Sequence, residues 1–164
     1  MYANVPNRVI VPSDVSCFER YLFDWVRSLL DTLTLKTGTR MKRYTLADVE
    51  HKLHSKDFFE TIVAGVDDWD TLLAQRDDER FDAQWSASYE ALLKVPYRFL
   101  EDEKTAARIR GHVFKKVLAL TGSSEVAGYA SDDFGLIMDA ALKASDSAWA
   151  NMMFNSYTEG VFPC

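Results

Sequence analysis

The chain has few of the residues that mark secreted scaffolds or membrane proteins. Only two of its 164 residues are cysteine, Cys17 and Cys164. They lie far apart in the sequence, which excludes the dense disulfide framework of a small secreted domain, and we expect both to be free thiols. No uncharged apolar run reaches the roughly 18 residues that a membrane-spanning helix needs, and no signal-peptide pattern is present. The sequence therefore predicts a cytoplasmic protein with no membrane partner.

The motifs of common catalytic sites are also missing. The seven glycines are isolated from one another, so no glycine-rich loop is available to hold a phosphate group. No Gly-x-Ser-x-Gly sequence occurs, and neither cysteine lies in a recognisable catalytic setting. The sequence indicates no cofactor and no named enzymatic activity.

What the chain does contain is enough apolar surface for one packed core. Hydrophobic residues make up 48% and aromatic residues 13% of the sequence, and a chain of this length normally forms one domain. Apolar residues recur at steps of three and four, and no window alternates as a strand would. We predict a single all-α domain, residues 1–164, of six to eight amphipathic helices without a significant sheet. Its predicted parts are an extended lead at 1–12, a first helix at 13–34, a long helix at 101–120 and a C-terminal αα-hairpin at 131–160.

Several helix boundaries can be predicted from capping residues. Thr45 and Asp48 have the spacing of a capping box, with Asp in place of the usual Glu. Ser131 and Ser145 are the predicted N-caps of the two helices of the C-terminal hairpin. Gly111 lies inside the long helix, where a glycine is unfavourable, and we interpret it as the mark of a close helix crossing.

The negative charge of the protein is concentrated in one stretch, residues 67–103, which we call the acidic segment. It holds eleven acidic and four basic residues, whereas the rest of the chain holds fourteen acidic and fifteen basic ones. Nine of the carboxylates form three clusters, and Trp69 lies inside the first. The predicted partner-binding residues are Asp67, Asp68, Trp69 and Asp70 (cluster 1), Asp77, Asp78 and Glu79 (cluster 2), and Glu101, Asp102 and Glu103 (cluster 3).

Each cluster has an alternative, local explanation. All three lie at predicted helix starts, where carboxylates satisfy free backbone N–H groups and offset the positive end of the helix dipole. The other predicted helix starts contain only one or two acids, so this role does not explain the whole surplus. The surplus favours a surface that attracts a positively charged protein.

Metal binding is the next candidate chemistry. Asp48, His51 and His54 recur at steps of three on one predicted helix, and such residues can converge on zinc or iron. The only other histidine is His112, so the set is incomplete for a carboxylate-bridged two-iron bundle. We treat the three residues as weak candidates and predict no metal site.

Two basic segments raise the question of nucleic-acid binding. Residues 36–43 and 104–116 contain four and five cations and no acid. The second lies on a helix that begins with three acids, an arrangement that the helix dipole favours without any ligand. The net charge of −6 also repels the phosphate backbone. We therefore predict no direct contact with nucleic acid.

These observations leave two hypotheses from different classes. The first is a non-enzymatic inhibitor or immunity-type protein that covers a basic protein, such as a toxin domain, with its acidic surface. The second is an all-α enzyme or ligand-binding domain with a metal-dependent site between helices. A helical adaptor in a larger assembly is a third possibility.

Overall fold

The computed structural model describes residues 43–164, which contain seven helices and no strand. The prediction of an all-α fold is confirmed. The predicted lead at 1–12, the helix at 13–34 and Cys17 lie outside the described residues. The helices are α1 Leu46–Leu53, α2 Phe58–Ala64, α3 Trp69–Arg76, α4 Glu79–Leu93, α5 Leu100–Thr121, α6 Ser124–Leu142 and α7 Ala148–Thr158.

Helix α6 is the centre of this part of the protein. Ten of its 19 residues are buried, and it contacts α1, α4, α5 and α7. Ala127 and Ala130 are fully buried, and the long helix α5 packs along α6, where the Ser131 hydroxyl and Gly135 lie against Arg110. Phe134 and Met138 continue the buried face toward α7, which forms the predicted C-terminal hairpin with α6. None of the helices described is long and apolar enough to cross a bilayer.

Boundaries that depend on local capping agree with the sequence. The backbone N–H of Asp48 donates to the Thr45 hydroxyl at 3.3 Å, and the Thr45 N–H donates to the Asp48 carboxylate at 2.9 Å, which confirms the capping box. The long helix predicted at 101–120 is α5, and it ends at Gly122, which has a positive φ of 71°. Residues of other types adopt this backbone conformation at a cost.

Three local predictions are wrong. Helix α6 begins at Ser124 with Ser123 as its cap, so Ser131 lies inside a continuous helix. There the Ser131 hydroxyl is buried against α5 and donates to the carbonyl of Arg110. The cap of α7 is Ser147 rather than Ser145. Gly111 marks no crossing, since a Cβ atom at this position would meet nothing within 4 Å.

The prediction that Cys164 is a free thiol is also wrong. Cys164 is disulfide-bonded and only 3% exposed. The C-terminal residues pack onto α3 and α7, where the ring of Phe162 contacts Trp69 and Tyr157 edge-on. The spacing of the cysteines in the sequence predicts neither this packing nor the disulfide-bonded state of Cys164.

Candidate partner-binding surface

The three acidic clusters lie at the starts of three helices. Cluster 1 surrounds the first turn of α3, cluster 2 spans the junction of α3 and α4, and cluster 3 forms the first turn of α5. Eight of the nine carboxylate residues are exposed, and Asp102 is half-buried. Trp69 is half-buried too, because its ring packs edge-on against Phe162 at 5.3 Å. The clusters are therefore accessible, but Trp69 contributes to the edge of the core.

Some of these carboxylates have the local role that helix starts require. Asp68 accepts from the backbone N–H groups of Asp70 and Thr71, Asp78 accepts from that of Arg80, and Asp102 accepts from that of Phe99. Each of these bonds satisfies a backbone donor at a helix N-terminus. For these three members of the clusters, the capping explanation is correct.

The other carboxylates of the clusters either bond to side chains or have no bonding partner within the described region. Asp77 accepts from the phenol of Tyr129 at 2.8 Å, and Glu101 pairs with Lys104 at 2.7 Å. Four carboxylates accept no hydrogen bond and form no ion pair with any residue in 43–164. They are Asp67, Asp70, Glu79 and Glu103. These four contribute exposed negative charge that forms no ion pair within the described region.

Helix α4 separates cluster 3 from the other two. At a rise of 1.5 Å per residue, its 15 residues span about 22 Å. Cluster 2 lies at the start of this helix, and cluster 3 follows its end after the loop 94–99.

A groove of about 530 Å³ lies between α4, α5 and α6, next to cluster 3. One wall is aromatic, since the rings of Trp85 and Tyr89 stack with centroids 5.4 Å apart. Leu93 extends this wall, and Ala106 and Ala107 line the opposite side on α5. We call this cavity the α4–α5 groove.

The polar groups at one end of the groove are bonded to one another. Lys143 donates to the Asp139 carboxylate at 2.8 Å and to the Leu92 carbonyl at 3.0 Å, and its ammonium group lies 4.4 Å from the centre of the Tyr97 ring. The Tyr97 phenol donates to Asp139. Burial, together with this bond, raises the pKa of Tyr97, so the phenol stays protonated as a donor. This network stabilises the fold. The rest of the groove is lined by both apolar and charged residues, the charged ones being Glu103, Arg110 and Asp132.

Gly135 shapes another part of the groove. The side chain of Arg110 crosses over it and pairs with Asp132 at 2.5 Å. A Cβ atom at position 135 would lie 2.9 Å from Cδ of Arg110. The glycine therefore lets Arg110 lie flat across α6.

A buried ion pair connects the acidic segment to the core. Arg76, at the end of α3, donates two bonds of 2.8 Å to Asp133 on α6 and a third to the carbonyl of Pro163. Asp133 also accepts from the indole N–H of Trp85 at 3.0 Å and from the phenol of Tyr157 at 2.7 Å. Arg76 is 4% exposed and Asp133 is fully buried. The pair therefore connects α3, α4, α6 and α7.

A sequence-family model described as Immunity protein PIM1 matches residues 48–164. The chain belongs to the immunity protein PIM1 family. The match includes the acidic segment, the α4–α5 groove and the Arg76–Asp133 pair, and no curated protein matches the chain. The hypothesis of an immunity-type protein is confirmed at this level.

The weak metal candidates of this immunity protein do not form a site. Asp48 takes part in the capping box of α1, and the ring Nδ1 of His54 lies 2.6 Å from the carbonyl oxygen of Glu50. His51 is exposed. Within residues 43–164, no three His, Cys, Asp or Glu side chains are grouped to hold a metal ion.

The Asp68 cap gives a pH-dependent prediction for this PIM1-family protein. Its hydrogen bonds with the side chain and backbone of Thr71 lower the pKa of Asp68. A carboxyl group whose pKa is lower in the folded state stabilises the protein above its unfolded pKa, and this contribution disappears as the pH falls through the folded pKa. We expect Asp68→Ala to lower the melting temperature near neutral pH, with a smaller effect in acid.

Asp67→Ala is the matched control for that experiment, because Asp67 is the preceding exposed carboxylate and makes no bond within the described region. Thermal unfolding followed by circular dichroism measures both variants. Equal melting temperatures for the two variants near neutral pH would show that the Asp68 cap contributes nothing.

Proposed function

We propose that this immunity protein neutralises a toxin with a positively charged surface by binding it directly through the acidic segment. The observation that carries the proposal is the exposed charge of four carboxylates that form no ion pair within the described region, in a member of an immunity family. They are Asp67, Asp70, Glu79 and Glu103. No direct contact between this protein and nucleic acid is needed for such a role.

Surface charge of this kind mainly affects the association rate and the specificity of binding. A surface with excess negative charge attracts a basic partner over a distance comparable to the Debye length, about 10 Å at 0.1 M salt. It raises the association rate and disfavours partners of the wrong charge. A toxin that itself binds nucleic acid through a cationic cleft has the complementary surface, so covering that cleft would block its activity.

The experiment combines rescue and binding. The protein encoded by the neighbouring gene is expressed in a host with and without this chain, and cell survival is measured. A pull-down with the purified chain then compares low salt with about 0.5 M salt, at which charge attraction is strongly screened. We expect rescue from toxicity and a complex that is lost at high salt.

Two other outcomes would contradict the proposal. If the neighbouring gene encodes a toxic protein that this chain neither binds nor neutralises, this chain is not the direct inhibitor of that protein. A complex that forms equally well at both salt concentrations would show that the partner is not held by charge.

A further inference from the structure

Large exposed hydrophobic residues are confined to one place in the described structure. They are Tyr89, Leu93, Phe99 and Leu100, with exposed fractions of 42%, 58%, 68% and 68%. We call these four residues the apolar patch. It runs from the last turns of α4 through the connecting loop to the first residue of α5. Single exposed hydrophobic residues are ordinary, but a cluster of them at one helix junction is typical of an interaction site.

The apolar patch borders the α4–α5 groove. Tyr89 and Leu93 belong to both, so the exposed surface continues into the cavity. The groove volume of about 530 Å³ lies within the roughly 300–1,000 Å³ range of protein pockets that bury a ligand. The polar groups of Tyr97, Asp139 and Lys143 already bond to one another. The groove therefore offers an incoming group a mixed surface, with an aromatic and aliphatic wall formed by Trp85, Tyr89 and Leu93 and with charged side chains that include Glu103.

The charges around the apolar patch indicate what kind of partner can bind it. Residues 89–103 contain four acidic and two basic side chains. Among them, Glu90 and Glu103 are exposed and form no ion pair with residues of the described range. Two copies of this chain docked patch to patch would bring two negatively charged rims together, which is unfavourable. A partner with lysine or arginine beside its apolar residues has the complementary charge.

We propose that the α4–α5 groove and the apolar patch receive a projecting segment of the toxin, an inference that rests on the proposed function. Large apolar side chains of that segment enter the groove, and flanking lysine or arginine side chains contact Glu90 and Glu103. Aromatic and apolar anchors in well-packed pockets commonly provide most of an interface's affinity. The acidic clusters then raise the association rate, and contacts in the groove lower the dissociation rate of the complex.

The test fills the groove without changing charge. Ala107 and Ala119 are both exposed alanines on α5, but only Ala107 lines the groove. The full-length chain is prepared as Ala107→Trp, as Ala119→Trp for the control, and as Leu93→Ala. Calorimetry measures the dissociation constant of each with the toxin that the wild-type chain neutralises, and thermal unfolding shows whether each variant is folded.

We expect Ala107→Trp and Leu93→Ala each to weaken binding about tenfold or more, as removal of an interface anchor does. Ala119→Trp is expected to bind like the wild type. If all three variants bind like the wild type while the complex stays salt-sensitive, the groove proposal is overturned and the proposed function stands. If the wild-type chain binds no toxin, the proposed function itself fails.

Two further outcomes would identify a different occupant and overturn the proposal. A chain that self-associates in solution, and becomes monomeric with Ala107→Trp, would have a second copy in the groove. A melting temperature that falls with Ala107→Trp but not with Ala119→Trp, together with unchanged toxin binding, would show that the chain's own residues fill the groove.

Discussion

Replacement of Asp133 by alanine is expected to lower the free energy of unfolding by about 3–5 kcal/mol, the usual cost of removing one member of a buried ion pair. Asp133 is fully buried and accepts hydrogen bonds from Arg76, Trp85 and Tyr157. Its loss leaves a guanidinium group without its carboxylate in a site that is almost inaccessible to water. Two further donors lose their acceptor at the same time. Urea unfolding followed by circular dichroism measures the difference.

The neighbouring carboxylate provides a matched control. The Asp132 side chain is 49% exposed and forms one ion pair, with Arg110. Exposed pairs contribute about 1 kcal/mol or less, because water screens the charges and two flexible side chains must be ordered. Asp132→Ala is therefore expected to change the free energy of unfolding much less than Asp133→Ala. Equal losses for the two variants would contradict the structural importance of the buried pair.

Asp133→Asn separates the charge of the carboxylate from its hydrogen bonds. The amide oxygen can still accept from Trp85, but the negative charge that compensates Arg76 is gone. We expect a loss of stability smaller than that of Asp133→Ala and larger than that of Asp132→Ala. The pair joins Arg76 at the end of α3 to the core, so it also fixes the helices that carry clusters 1 and 2.

The parts of the fold that depend on local chemistry could be predicted from the sequence. The Thr45–Asp48 box and the Gly122 stop involve residues a few positions apart, and the chain itself brings such residues together. Ser131 could not be placed in this way, since its hydroxyl bonds to a carbonyl on α5 only after the two helices pack. Any serine followed by an apolar run looks like a cap until its partner across the interface is known.

The candidate site was predicted only in part, for the same reason. The charge surplus of residues 67–103 is a property of composition and is visible in the sequence. A carboxylate that caps a helix can be told from one that stays unpaired only when the helix start is known to within one residue. Arg76 and Asp133 are 57 positions apart in the sequence, and the groove forms only where three helices pack together. Neither can be recognised from residues that are close in sequence.

Charge reversal at the helix starts tests the acidic segment without disturbing its caps. Glu79 and Glu103 are exposed, lie in the first turns of α4 and α5, and bond to no side chain of the described region. We expect the double variant Glu79→Lys, Glu103→Lys to slow association with the toxin by about ten- to a hundredfold at low salt, because steering by opposite charge is replaced by repulsion. Stopped-flow mixing at several salt concentrations measures this rate.

Glu125 provides the control that separates steering from helix stability. It is an exposed glutamate in the first turn of α6, outside the acidic segment, so Glu125→Lys introduces the same unfavourable charge at a helix N-terminus. If the clusters guide the toxin, Glu125→Lys binds at nearly the wild-type rate, and the defect of the double variant shrinks as salt rises. An equal slowing by Glu125→Lys would mean that only the total charge matters. Any part of the defect that persists at high salt would report a close contact in the complex, such as the one proposed for Glu103 beside the groove, since screening removes long-range attraction but leaves short-range bonds.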